Sequence, residues 1–295
     1  MREPFPGGRI GVSLRPLAFL PHSEAVALAR EVESLGLDAV WFPESVPGKE
    51  AFGLAAALLA ATDRLVVATG IANAWARDPV AMENGARTLA EAYPGRFVLG
   101  IGVSHPETVG QRGHRYAKPI AFMRSYFDGM DGAAYEAAVP IHPAPRIVAA
   151  MGPKMLALSA ERADGAFPAP VTDAFTAEVR AVLGTDRYVV VGKYVAPGVS
   201  VAEARSVFAT SLPFYNSLDI YRRHFARLGW SDDDLANGGS EALIDAIVTA
   251  GDDAAIRAGV AAQFEAGADH VVAVLVGVEP QPDGLRRLAE AVSGL

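Results

Sequence analysis

The chain has 295 residues, of which 51% are hydrophobic and 20% charged, with a formal net charge of −8 at pH 7 and no cysteine. The lack of cysteine excludes a disulfide scaffold, a thiolate nucleophile, iron–sulfur clusters and the usual structural zinc site. The acidic balance argues against a nucleic-acid partner, which needs basic side chains to neutralise phosphates. The sequence shows neither a signal-like start nor a run of roughly 18 apolar residues, so we expect a cytoplasmic protein with no membrane contact.

The first predicted helix covers residues 23–36, with Ser23 as N-cap, apolar residues on one face and Gly36 as its end. It is followed directly by DAVWF at residues 38–42. A short, wholly apolar run of this kind is typical of a parallel strand that is covered on both faces. The succession of helix and strand without a hairpin predicts βα units.

The same alternation continues along the chain and predicts eight strands. Helices that begin at Ala51, Pro79 and Pro153 separate several of them. Repeated strand and helix predict a parallel sheet, and the chain length suits one closed (β/α)8 TIM barrel. We therefore predict a single domain over residues 1–295. The predicted strands are 9–14, 38–42, 64–69, 96–101, 146–151, 164–167, 187–195 and 269–276.

Two segments interrupt this rhythm. Residues 103–117 show no clear period, and residues 196–250 contain several helical patterns before the last βα unit resumes at Gly251. Insertions in barrels usually lie at the catalytic rim, so residues 196–250 are predicted to be a helical insertion that forms a lid or substrate wall. Its aromatic and basic residues either line that wall or form a helix core with a solvated edge: Phe214, Tyr215, Tyr221, Arg222, Arg223 and Trp230.

Four segments, in the expected order, resemble the luciferase-like superfamily of flavin and deazaflavin oxidoreductases: LDAVWFPES, TGIANAWARDPVAMENGARTLAEAYPGRFVLGIGVSH, VAAMGPKMLALSAERADGAF and GDDAAIRAGVAAQFEAGADHVV. The pattern is similar to the branch that uses the deazaflavin coenzyme F-420. This resemblance implies hydride transfer between coenzyme F-420 and a small organic substrate. The alternatives are an FMN-dependent monooxygenase and a cofactor-binding protein without turnover. The family resemblance also implies a homodimer, formed through helices that include the Ala-rich run AFGLAAALLAAT.

The segment VAAMGPKML predicts a phosphate site, because a strand end is followed by Gly, Pro and the start of a helix. A helix start offers unpaired N–H groups and the positive end of its dipole. A plain βα turn is the alternative. The resemblance implies that the coenzyme phosphate is held by Ala149, Ala150, Met151, Gly152, Pro153, Lys154 and Met155.

The segment ATGIANAWARDP follows the third predicted strand. The resemblance implies a bulge here with a non-prolyl cis peptide bond between Gly70 and Ile71. Gly70, Ile71, Ala72 and Asn73 would then lie behind the tricyclic ring and hydrogen-bond its edge. The alternative is an ordinary exit from the strand with Asn73 as a turn residue.

Glu44 and His105 are the predicted catalytic residues, and both are also expected to contact the coenzyme. Each follows a predicted strand, where barrel enzymes carry their chemistry. Glu44 would position the coenzyme or exchange a proton, and His105 would exchange a proton near neutral pH. The alternatives are a solvated loop charge and a polar surface histidine. Related alcohol dehydrogenases have a histidine where this chain has Ser45, which favours reduction over alcohol oxidation. The other histidines show no ligand spacing, so no metal site is expected.

Overall fold

A computed structural model describes residues 2–277 and 282–295. Eight parallel strands form a closed ring in the order β10, β1, β2, β3, β5, β6, β7, β8, and β8 pairs again with β10. The predicted TIM barrel is therefore confirmed. The strands are β1 Ile10–Ser13, β2 Ala39–Phe42, β3 Val66–Thr69, β4 Ala72–Asn73, β5 Phe97–Gly102, β6 Arg146–Val148, β7 Gly165–Ala166, β8 Tyr188–Pro197, β9 Val248–Gly251 and β10 His270–Leu275.

Helices cover the outside of the ring and connect its strands. The helices are α1 His22–Ser34, α2 Ala51–Ala61, α3 Pro79–Ala92, α4 Pro106–Gln111, α5 Pro119–Asp131, α6 Pro153–Arg162, α7 Asp173–Leu183, α8 Val201–Ala209, α9 Leu212–Ser217, α10 Asp219–Arg227, α11 Asp232–Leu235, α12 Glu241–Ile247, α13 Asp253–Glu265 and α14 Pro282–Val292. Within the described residues, no helix has both the length and the apolar character needed to span a membrane.

The strands are apolar on both faces because each separates two cores. On β8, Val189 and Val191 pack in the large core between the ring and its helices, whereas Val190 packs inside the ring. The interior also contains Phe5, from the segment before β1, which packs against Trp41. This double burial explains why the strands appear in the sequence as continuous hydrophobic runs.

One interior histidine is a structural core residue. Nε1 of Trp41 donates to Nε2 of His270 at 3.0 Å, and Nδ1 of His270 lies 3.0 Å from the carbonyl oxygen of Gly8. Burial lowers the pKa of His270 to about 4. The neutral ring therefore has its Nδ1 proton directed at Gly8 and accepts the tryptophan hydrogen bond at Nε2.

The structure differs from the sequence prediction in local details. Helix α1 begins at His22, after Pro21, and Ser23 makes no cap, so the predicted N-cap is wrong. The helix ends at Ser34, before Gly36, whose positive φ of 78° reverses the chain. Residues 103–117 contain the short helix α4. Two strands were not predicted, the two-residue β4 and β9 at Val248–Gly251, which lies at the end of the predicted helical insertion.

Candidate active site

The predicted site residues lie after four neighbouring strands of the ring. Glu44 follows β2, residues 70–73 follow β3, His105 follows β5, and residues 149–155 follow β6. Because these strands are adjacent and parallel, their carboxyl ends meet in one sector of the rim. The structure therefore brings all the predicted residues to a single mouth, as expected for the catalytic end of a TIM barrel.

The chain bends sharply where it leaves β3. The peptide bond between Gly70 and Ile71 is cis, as the family resemblance implied. Gly70 N–H donates to the carbonyl oxygen of Phe42 at 2.7 Å, and Ile71 accepts from Glu44 N–H at 3.1 Å. Beyond the bend, β4 pairs with the end of β5. The bend therefore connects the ends of β2, β3 and β5.

Glu44 is held in a buried ion pair. Its side chain is only 4% exposed and pairs with both terminal guanidinium nitrogens, Nη1 and Nη2, of Arg77. One carboxylate oxygen also accepts from Asn73 N–H at 2.8 Å. Arg77 also contacts Glu50 at 2.7 Å. Glu44 is therefore not a solvated loop charge. Sequence reasoning missed Arg77, which lies 33 residues away from Glu44 along the chain.

Asn73 has an unused hydrogen-bond donor. The residue is 1% exposed, and its Oδ1 accepts from Trp75 N–H at 2.9 Å. Its Nδ2 has no partner in the part of the chain that the structure describes. The strand register places Asn73 beside Gly102. A buried donor without a partner costs about 1–3 kcal/mol, so an acceptor on a bound molecule is a natural partner for it.

Two glycines of β5 allow the strands to approach closely at the mouth. A Cβ on Gly100 would lie 1.8 Å from the carbonyl oxygen of Thr69. A Cβ on Gly102 would lie 2.9 Å from Cδ1 of Ile71 and 3.1 Å from Cβ of Ala149. The Gly-x-Gly pattern therefore reflects tight packing of β5 against both neighbours, with Ile71 and Ala149 flanking Gly102.

The predicted phosphate turn has an uncapped helix start. Helix α6 begins at Pro153 with Gly152 as N-cap, and no side chain caps it. Gly152 is extended, with φ −95° and ψ 153°. A Cβ placed there would find its nearest neighbour, Cδ1 of Ile220, at 4.0 Å. The open space beside this helix start, which no side chain caps, fits an anionic group.

His105 lies under the insertion. It precedes α4 at the N-cap position, and burial lowers the pKa of its imidazole. Its ring centroid is 5.8 Å from that of Tyr221 and 6.4 Å from that of Phe214. Of the predicted wall residues, these two lie against His105. Arg223 instead pairs with Asp219 on the exposed side of α10.

The comparison with known families agrees with this geometry. The model of the luciferase-like monooxygenase family matches residues 10–270. This chain belongs to that family. The match covers most of the ring and all the predicted site residues.

Proteins similar to this luciferase-like protein carry two different coenzymes in their names or structure descriptions. A Mycobacterium tuberculosis protein named "putative coenzyme F-420-dependent oxidoreductase" is 31% identical over 194 residues, which are 55% of each chain. The chain thus spans about half the length of that curated relative. The structure of an F-420-dependent secondary alcohol dehydrogenase with an F-420–acetone adduct has a TM-score of 0.75 at 17% identity, covering 99% of both chains.

A monooxygenase has an equally similar fold. The oxygenating constituent of 3,6-diketocamphane monooxygenase from Pseudomonas putida, in complex with FMN, has a TM-score of 0.74 at 15% identity, covering 97% of both chains. At these identities the structural matches establish the luciferase-like fold alone. The choice of coenzyme depends on the residues at the mouth.

A second concave region of this luciferase-like barrel lies at the opposite end. A cleft of about 680 Å³ is lined by Arg87, Arg146 and Arg162, near the amino ends of β6 and β7. These arginines already pair with acidic side chains, such as Arg146 with Glu83 at 2.8 Å. None of the predicted site residues lines this cleft. Its charges are therefore explained by the fold.

Proposed function

We propose that this protein is an oxidoreductase that transfers a hydride between coenzyme F-420 and a small organic substrate, acting mainly as a reductase. The observation that carries the proposal is the buried Nδ2 of Asn73, which has no partner among the described residues and lies at the strand ends beside Gly102. A donor in that position suits an acceptor on the edge of a heterocyclic ring. The name of the Mycobacterium tuberculosis relative supports the same coenzyme.

The residues present fit such a coenzyme in two places. The shelf formed by residues 70–73 and Ala149 would support the ring, and the uncapped start of α6 at residues 152–155 would bind the phosphate. When bound, the deazaflavin would supply two-electron hydride chemistry. The chain would contribute position and protons.

Glu44 is assigned a positioning role. Both of its carboxylate oxygens accept hydrogen bonds, from Arg77 and from the backbone N–H of Asn73. Proton exchange at Glu44 would require breaking this pair. We therefore interpret Glu44 and Arg77 as the support that fixes the strand carrying the Asn73 amide. This narrows the prediction made from the sequence, which allowed either role.

His105 is assigned the proton-exchange role. Because burial lowers the pKa of its imidazole below 6.5, the ring is mainly neutral at pH 7 and gains its proton as the pH falls. If His105 delivers the proton in substrate reduction, kcat should rise as the pH falls from 8 toward this lowered pKa. His105→Gln should remove that rise. A pH profile that is identical in both proteins would assign the proton to another group.

An FMN-dependent monooxygenase is the second candidate. The FMN-bound relative shares the fold, and the uncapped turn at Gly152 fits the phosphate of either coenzyme. A cofactor-binding protein without turnover is the third. The homodimer predicted through α2 also belongs to this proposal, and light scattering of the purified protein would measure it.

Titration with F-420 and with FMN tests the proposal. We expect F-420 to bind more tightly, its absorbance to change with substrate, and no oxygen uptake. Asn73→Ala should weaken F-420 binding roughly tenfold, or about 1.4 kcal/mol. Asn84→Ala is the matched control, because Asn84 has a buried oxygen without a partner among the described residues but lies on α3. Tight FMN binding with oxygen uptake would favour the monooxygenase. Binding of F-420 without any turnover would favour the third candidate, a cofactor-binding protein.

A further inference from the structure

A chain of aromatic residues connects the inside of the barrel to His105. The hydroxyl of Tyr194 on β8 is hydrogen-bonded to the hydroxyl of Tyr215 on α9. The Tyr215 ring meets the Tyr221 ring edge-on at 4.8 Å, and Tyr221 lies 5.8 Å from His105. Phe214 packs against Tyr215 at 5.6 Å. We call Tyr194, Phe214, Tyr215 and Tyr221 the aromatic wall.

The aromatic wall carries no charge. Burial raises the pKa of Tyr194 well above its ordinary value, and burial also raises the pKa of Tyr215 and Tyr221. All three phenols therefore keep their protons near neutral pH. The arginines that follow Tyr221 point elsewhere, since Arg222 and Arg223 have mostly exposed side chains.

The mouth side of the wall includes exposed apolar surface. Phe214 is 56% exposed and Ile220 is 42% exposed. Phe214 lies beside His105, and Ile220 is the nearest side chain to the Cβ position of Gly152. The two therefore lie near opposite parts of the predicted coenzyme site. Both side chains are therefore available to contact a molecule bound at the mouth.

One hydroxyl proton of the Tyr194–Tyr215 pair is not used in the hydrogen bond between them. Two hydroxyls that share a single hydrogen bond use one of their two protons, and the second O–H can donate to another acceptor. A charged ligand packed on these rings would lose part of its hydration, and the four wall side chains offer it no opposite charge, which makes its binding costly. The wall thus combines flat apolar surface with one neutral donor.

From this geometry we infer that the aromatic wall selects an uncharged, flat, ring-bearing substrate with a carbonyl-type oxygen. Phe214 and Tyr221 pack on its ring, and the Tyr194–Tyr215 pair donates a hydrogen bond to its oxygen. The inference deepens the proposed function and rests on the mouth being the active site. It excludes carboxylates and amines of similar size as good ligands.

Three probes of nearly equal aromatic area test the inference: 2-acetylnaphthalene, 2-naphthoate and naphthalene. Binding to the full chain is measured by saturation-transfer NMR, with and without F-420. We expect the ketone to bind at least tenfold more tightly than the carboxylate. Tyr215→Phe should reduce ketone binding severalfold and leave naphthalene binding unchanged, whereas Tyr221→Leu should weaken both. Circular dichroism establishes that each variant is folded.

The matched control is Tyr93→Phe, because Tyr93 lies at the end of α3, outside the wall. It should leave the binding of all three probes unchanged. Equal binding of ketone and carboxylate, no detectable ketone binding, or wild-type binding in both wall variants would overturn the inference. The F-420 titration is independent of this result. Ketone binding without F-420 binding would refute the proposed function and leave the wall intact.

Discussion

One side of the mouth is formed by backbone and short side chains, and the other side by large aromatic side chains. The side formed by β3, β5 and β6 consists of backbone, glycines and short side chains, with the Gly70–Ile71 bend and the uncapped start of α6. The opposite side consists of large aromatic side chains on α9 and α10. Backbone geometry is fixed by the strand register, whereas side chains on an inserted helix can be exchanged without disturbing the ring. In the proposed function the first side would hold the coenzyme and the second would face the substrate, and we call them the coenzyme side and the substrate side.

The cores of the two regions are also separate. The insertion has its own cluster of buried residues, which does not belong to the core between ring and helices. It meets the barrel at the ends of β8 and β9 and also along α7, where His224 packs on Phe175 and Arg227 pairs with Glu178 at 2.6 Å. A change in the insertion core should therefore have local effects, and a change under the coenzyme side should affect the whole fold. The members of the insertion core are Ala196, Val199, Ala204, Phe208, Leu212, Phe225, Leu235, Leu243, Ile244, Ile247, Val248 and Val276.

The largest expected effect follows from breaking the ion pair under the coenzyme side. Arg77→Met would leave the carboxylate of Glu44, 4% exposed, without its partner. We expect the free energy of unfolding to fall by about 3–5 kcal/mol, measured by urea denaturation at pH 7. Adding Glu44→Gln should recover at least half of the loss, because the uncompensated charge is removed.

Arg124→Met is the control for that experiment. Arg124 pairs with Glu161, but both side chains are about half exposed. Exposed pairs contribute roughly 0–1 kcal/mol. If Arg77→Met lowered the free energy of unfolding no more than Arg124→Met, the buried Glu44 carboxylate would not depend on Arg77. The interpretation of this ion pair as the support of the strand that carries Asn73 would then be wrong.

Acid should weaken both regions through one histidine each. Burial lowers the pKa of His270 in the barrel and of His224 on α10 to about 4. The unfolded chain takes up these protons below pH 6.5, and the folded protein only near pH 4. The free energy of unfolding should therefore fall as the pH drops from about 6.5 to 4, by up to about 3 kcal/mol per histidine.

A histidine variant separates the two contributions. His224→Phe preserves the aromatic contact with Phe175 and should remove only the part of the pH dependence that comes from the insertion. Replacing the exposed His142 by Gln should change nothing. The slope of stability against pH, from denaturation series between pH 4 and 7, decides the outcome. If the slope of stability against pH were the same in His224→Phe as in the wild type, His224 would not contribute to the pH dependence.

A smaller effect, on coenzyme affinity, is expected from substitution of Gly152, which lies between the two sides of the mouth. Its extended backbone accepts any residue, so Gly152→Leu should leave stability unchanged. The larger side chain would occupy the space between the turn and Ile220. We expect F-420 binding to weaken roughly tenfold, or about 1.4 kcal/mol, measured by coenzyme absorbance. Gly152→Ala should cost less, and wild-type affinity in Gly152→Leu would move the phosphate site elsewhere.

The sequence predicted the coenzyme side far better than the substrate side. Periodicity located all eight ring strands, because strands buried on both faces are continuously apolar, and motifs placed Gly70, Asn73 and Gly152 at one rim. It did not reveal the pairing of Glu44 with Arg77, which depends on a long-range contact. Nor could it decide which aromatic residues of the insertion face His105, since that depends on how short helices pack.

The smallest effect concerns helix caps in the two regions. The side-chain oxygen of Ser240 accepts from Leu243 N–H at the start of α12, and Asp78 accepts from Ala81 N–H at the start of α3. Replacing either by Ala should cost about 1 kcal/mol. Because the insertion has its own core, Ser240→Ala should accelerate amide hydrogen exchange in the insertion helices and leave β5 unchanged. Asp78→Ala should instead lower global stability, since α3 packs on β5. Faster exchange in β5 for Ser240→Ala would show that the two regions open as one unit.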